Sequence, residues 1–164
     1  MGNMRFAVIA PLFLFLPPAF LPVSNPSLKP DPNAFEAQML AEVNQLRQSG
    51  CQCGDKYFPP APALTWDARL AQAARMHAAD LNTNNRMSHT GSDGSTMGQR
   101  ARRAGYAWTM VGENVAWGYS DIPSVVDGWK NSDGHCRNMM TKAYVHLGAA
   151  RNGIYWVQDF GVPR

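Results

Sequence analysis

Apolar positions in the first half of the chain recur at helical spacing. Phe35, Met39, Leu40, Val43 and Leu46 form one stripe, with Asn33 and Glu36 placed as a capping box before it and Gly50 as its stop. Residues 51–63 hold cysteines, glycine and prolines and are expected to be a long loop. A second helix is expected from Thr65 to Asn85, with Leu70, Ala73, Ala74, His77 and Leu81 on one face. His77 therefore belongs to the buried side, as a hydrogen-bonded core histidine rather than a ligand. Thr96 and Gln99 have capping-box spacing for a further helix that ends at Gly105.

The pattern then changes. Residues 109–117 read as a strand whose apolar run is broken by Gly112 and Glu113. Ser120 or Asp121 can cap a helix through Val125, Val126 and Trp129, with Pro123 in its first turn. A glycine-containing loop is expected to carry His135 and Cys136. Tyr144–Ala150 and Ile154–Phe160 read as two strands joined by Arg151-Asn152-Gly153, a hairpin signal; His146 sits in the first of them and is read as structural. Helices early and strands late predict an α+β domain in which an antiparallel sheet is covered by helices.

The N-terminus departs from this pattern. Arg5, an apolar run from Phe6 to Leu16, and Pro17-Pro18 read as a secretory signal, too short for a typical membrane span. Residues 1–24 are thus expected to be a signal peptide cut near Ser24, or else an uncleaved anchor. Residues 25–34 follow as an extended leader, and 35–164 as a single domain. Export to a periplasmic or extracellular location makes a disulfide plausible among Cys51, Cys53 and Cys136. Cys51 and Cys53 are too close in sequence to favour each other. Cys53–Cys136 is the preferred link, with Cys51–Cys136 as the alternative; zinc ligation by the three thiols is a weaker reading, because no Cys-x-x-Cys pair is present.

Composition narrows the function. In 164 residues the hydrophobic share is 45% and the charged share 16%, which suits one globular domain, and a net charge of +3 is too mild to imply nucleic acid. Arg100, Arg102 and Arg103 are read as a solvated helix face. The candidate chemistry lies with His89, Glu113 and His135, two imidazoles and a carboxylate that a fold could gather for metal binding or proton transfer. A buried polar network with no chemistry is the plain alternative.

The segments LTWDARLAQAARMHAADL, MSHTGSDGSTMGQRARRAGY, VGENVAWGYS, VVDGWKNSDGHCRNMM and YWVQDFG, in that order, resemble the CAP superfamily, also called the SCP or pathogenesis-related-1 domain. The variant with Cys136 beside the second histidine most resembles small exported bacterial members. The resemblance implies a three-layer α-β-α sandwich with a mainly antiparallel central sheet. It implies a cleft with His89 and His135 as its histidines and metal ligands, and Glu113 as its acid. In relatives a second acid follows the first histidine; here that place is Gln99, and Asp93 is the one carboxylate between His89 and Glu113 that could stand in. Zinc or a similar divalent ion is the implied cofactor, and it is not obligatory.

No common reaction follows from the resemblance, so a non-enzymatic exported binding module is the leading expectation. A metal-dependent hydrolase with Glu113 as general base is one alternative; a sterol- or lipid-binding or structural adhesion module is another. Trp108, Trp117, Trp129 and Trp156 could line a lipid groove, but core filling suits most of them better. The expected partners are a small-molecule, lipid or cell-surface ligand, with membrane contact only through an uncleaved N-terminus and the chain itself a monomer.

Overall fold

The computed structural model describes residues 33–164 together with Met1, so the expected signal segment and nearly all of the leader lie outside the described residues. The elements in chain order are α1 (Ala34–Ser49), β1 (Cys51–Cys53), β2 (Lys56–Phe58), β3 (Thr65–Trp66), α2 (Ala68–Asn84), α3 (Met97–Arg103), β4 (Trp108–Trp117), α4 (Ile122–Lys130), α5 (Asp133–Met140), β5 (His146–Asn152) and β6 (Tyr155–Pro163). No helix of the described residues is long and apolar enough to cross a membrane.

Four strands form one sheet in the order β3-β5-β6-β4, with β3 parallel to β5 and the other pairs antiparallel. Strand side chains alternate between faces, and the two cores follow that alternation. Ala116, Ala149, Trp156 and Phe160 face α1 and α4, where they meet Met39, Val43, Val125, Val126 and Trp129. Val115, Ala150, Tyr155 and Val157 face α2 and meet Ala74, Ala78 and Leu81. The result is the expected three-layer α-β-α sandwich. Gly148 lets α2 press onto β5, because a Cβ there would collide with the backbone at Leu70 and Ala71.

Capping chemistry places several helix starts. Asp67 accepts from Arg69 N and Leu70 N at the start of α2, and Thr96 and Gln99 close the capping box of α3. Asp121, not Ser120, caps α4. At α1 the expected box does not form, since Asn33 makes no side-chain cap bond.

Further expectations change: Thr65 and Trp66, expected to open the second helix, form strand β3, and α2 begins at Ala68. Residues 51–63 are not all loop: β1 and β2 pair as a short antiparallel hairpin, Cys51 opposite Phe58. The segment with His135 is helix α5, because burying Cys136, Met139 and Met140 outweighs the cost of Gly134 in its first turn. In the late hairpin Asn152 pairs with Tyr155, so the turn residues are Gly153 and Ile154, with Gly153 at φ +56° supplying the left-handed residue. Of the four tryptophans considered for a lipid groove, Trp129 and Trp156 are core and Trp108 is partly buried, while Trp117 is exposed.

A disulfide joins Cys53 to Cys136 across 83 residues of sequence, tying the β1–β2 hairpin to α5. A closed loop of that length stabilises the fold by about 4 kcal/mol in the chain-entropy account. Cys51 is a buried free thiol.

Candidate functional site

β4 is an edge strand of the sheet among the described residues, and its alternation divides the site. Glu113 shares the face of Val115, toward α2, while Asn114 shares the face of Ala116, toward α5. The two consecutive polar residues that break the apolar run of β4 therefore serve two different sides.

On the α2 side, Glu113 is the hub. Its Oε1 accepts from His89 Nδ1 at 2.8 Å, and its Oε2 accepts from Arg100 Nη2 at 2.6 Å. Glu113 and Arg100 are both buried, but the His89 side chain is 59% exposed. Arg100 also donates to Ser95 O and His89 O, which fixes the loop that carries His89. His77, on α2, reaches to 3.9 Å from Glu113 Oε1 and donates from Nε2 to Ser88 O. Its burial lowers the imidazole pKa in spite of Glu113, so the ring is neutral near pH 7. The bond to Glu113 raises the pKa of His89.

Asp159 stands directly opposite Glu113 on β6. It is fully buried, and among the described residues neither oxygen meets a donor at hydrogen-bond geometry. Burial, reinforced by the Glu113 charge, raises its pKa well above that of a free carboxyl group.

On the α5 side, Asn114 donates to His135 O and to Gln158 Oε1. Asn138 donates to Glu113 O and Asn114 Oδ1, so α5 is held against β4 by main-chain as well as side-chain acceptors. Gly112 permits the close approach, because a Cβ there would run into the Tyr144 hydroxyl and Asn138. His135 is partly buried, and its ring has no hydrogen-bond partner among the described residues. Burial, with a smaller contribution from the His89 charge, lowers its pKa.

His89 and Glu113 are thus in contact, and the main chain of His135 is held to the other face of β4 through Asn114. The three are not a preformed three-donor site: among the described residues only Cys51, Cys53 and Cys136 bring three ligand atoms within 4.8 Å of one another. Gln99 spends its amide oxygen on Thr96 N and Oγ1 in the α3 cap. Asp93 accepts from Ser95 N and Arg103, and those bonds hold its pKa low. Neither bonds to His89, Glu113 or His135.

The reading of Arg100 as part of a solvated face is overturned. Arg102 and Arg103 are exposed and fit it, Arg103 paired with Asp93 and Arg102 over Trp108 at 4.3 Å from the ring centroid. Arg100 is buried and joins the network around Glu113. His146 is structural as expected, bonded through Nδ1 to the Tyr106 hydroxyl.

A three-layer sandwich whose edge strand carries Gly-Glu-Asn between two histidines in sequence defines an SCP-type domain. The model of the cysteine-rich secretory protein family, CAP, matches residues 40–160, and the chain belongs to that family. The uncharacterized membrane protein YlbC of Bacillus subtilis is 34% identical over 97 residues, covering 59% of this chain and 28% of that protein. An extracellular protein of Bacillus anthracis with an SCP domain has a fold of TM-score 0.63 at 25% identity, over 80% of this chain and 43% of that one. NaASP2, solved with Zn2+, has a TM-score of 0.50 at 17% identity, over 77% of this chain and 78% of that one. The chain spans less than half the length of the first two.

Proposed function

We propose that this chain is an exported, non-enzymatic binding module whose cleft takes a divalent ion of the zinc class through His89 and His135. The observation that carries the reading is the bond from His89 Nδ1 to Glu113. It favours the tautomer with the proton on Nδ1 and leaves Nε2 of an exposed ring as the free acceptor, the carboxylate–histidine arrangement that commonly stands behind a metal-ligating imidazole. His135, with its lowered pKa and free ring nitrogens, is kept in the neutral form that a metal requires. The donor set fits two protein imidazoles completed by water, not a closed structural site. Zinc in the NaASP2 structure is consistent with such an ion on this fold. Bound there, the ion would offer a Lewis-acidic position to a small-molecule, lipid or cell-surface ligand.

Glu113 favours binding over hydrolysis. Both of its oxygens already accept from cationic or strongly polar donors, and the side chain is sealed from solvent. A general base needs an oxygen within reach of the proton that it removes.

Calorimetric titration with zinc chloride tests the reading, in a Cys51→Ser background so that the free thiol does not compete. The expected outcome is a single site that is lost in His89→Ala/His135→Ala. In Glu113→Gln it should weaken by about 10–100-fold, the usual effect of removing the group behind a ligating histidine. Equal affinity in the double-histidine variant and the parent would overturn it.

A further inference from the structure

Three sulfurs gather at a corner of the fold that the cleft does not use. Residues two apart in a strand point the same way, so β1 aims both Cys51 and Cys53 at α5, where Cys53 is bonded to Cys136. The free Cys51 Sγ lies 3.4 Å from Cys136 Sγ and 3.6 Å from Cys53 Sγ. Cys51 also borders an open groove between α1 and α4, a cavity of about 290 Å³ with Glu42, Asp127 and Lys130 on its walls.

We propose that Cys51, Cys53 and Cys136 form a disulfide-exchange centre in which the staple moves between Cys53–Cys136 and Cys51–Cys136. The Cys51 thiol gives its proton to solvent, and the thiolate attacks Cys136 Sγ. A Cys51–Cys136 bond forms as the Cys53–Cys136 bond breaks, and Cys53 leaves as a thiolate that takes up a proton. One disulfide and one thiol stand on each side of the reaction, so no oxidant or reductant is consumed.

Cys51 Sγ is nearly as far from one bonded sulfur as from the other, so it stands beside the bond and not on its axis. In-line attack needs the Cys51 side chain to turn, and the groove that it borders supplies the room. Cys136 is the nearer sulfur. Attack on Cys53 would instead have to bridge two residues of one extended strand, a poor disulfide geometry.

The surroundings set the rate. α5 faces Cys51 with Cys136 and Met140, and β2 faces it with Phe58; the charged groups of the groove are Lys130 and Asp127 on α4 and Glu42 on α1. Burial pushes the Cys51 thiol up, with Lys130 opposing it, so little thiolate is present near neutral pH. Either linkage keeps α5, and with it His135, tied to the β1–β2 hairpin.

The test follows the free thiol. Oxidised full-length protein is held at about pH 7 or about pH 9.5, quenched in acid denaturant, alkylated and mapped without reduction, with the label located by fragmentation. The label is expected to start on Cys51 and to move to Cys53 as a Cys51–Cys136 link appears. The rate should rise about tenfold per pH unit while the thiol remains mostly protonated. Cys51→Ser should hold Cys53–Cys136 unchanged, and Cys53→Ser should form Cys51–Cys136. A label that never leaves Cys51 overturns the proposal, as does a folded Cys53→Ser protein that keeps two free thiols. If Cys53→Ser does not fold, the movement of label in the wild-type chain decides alone.

Discussion

The Arg100 guanidinium stands 2.6 Å from Glu113 Oε2, and both side chains are almost closed to water. Neither charge sits comfortably there without the other, since a buried ion left without its partner carries its desolvation cost uncompensated. Arg100 also fastens the loop of His89 through two carbonyls, so one side chain joins the packing of α3 to the orientation of the cleft.

Arg100→Ala should therefore destabilise the protein by about 3–5 kcal/mol, the range for breaking a buried pair from one side. Adding Glu113→Gln to it should recover part of that loss, because the stranded charge is removed. Urea denaturation of the two single variants and the double variant forms the cycle that checks this. Strictly additive losses would mean that the pair is not coupled.

Much of the scaffold was legible in the sequence, because its signals are local. The α2 stripe, the Thr96–Gln99 capping box and the apolar strand signal of 109–117 are each local, and the structure keeps all three. The rest needed distant partners. Helix α5 follows Ser132 and starts with Asp133-Gly134, which reads as loop until Cys136 is bonded to Cys53 and the methionines are buried. The two-residue strand β3 has no pattern of its own and exists through its pairing with β5. Arg100 looked like its neighbours Arg102 and Arg103, and only Glu113, 13 residues on, sets it apart. Asp159 did leave a signal: Gln158-Asp159 interrupts an apolar strand, and two adjacent polar residues put one on each buried face.

His77 should make the protein sensitive to mild acid. Burial lowers its pKa from the free value of 6.5, so below that pH the unfolded chain takes up a proton that the folded chain resists. This contribution is fully present above pH 6.5 and is lost as pH falls toward the depressed folded value. His89 acts in the opposite sense, since its raised pKa favours the folded state below 6.5 and that benefit fades as pH rises through the folded value. His77→Gln, which can still donate to Ser88 O, should flatten the acid limb of a plot of urea midpoint against pH. One proton can contribute a slope of at most about 1.4 kcal/mol per pH unit. An unchanged acid limb would show that His77 is not the group responsible.

Arg47 offers the last test, because it is a buried cation bonded to carbonyls alone. From α1 its guanidinium donates to Pro62 O at 2.8 Å, Met139 O at 2.6 Å, Thr141 O at 3.0 Å and Tyr144 O at 3.4 Å. Those acceptors belong to the segment before β3, the end of α5 and the approach to β5, three pieces of chain with no common element. Burial lowers its pKa to about 10, which still leaves it charged at neutral pH. The planar fork is what allows one side chain to reach so many acceptors at different angles, and a lysine ammonium on a longer stem does not reproduce it. Arg47→Lys should thus keep the charge and lose most of the bonds, with each buried carbonyl left unpaired costing about 1–3 kcal/mol. Arg47→Met removes the charge too, and should destabilise no more than Arg47→Lys despite being the less conservative change. Thermal denaturation at neutral pH separates the two ideas: a lysine variant close to wild type would mean that the charge matters and the fork does not.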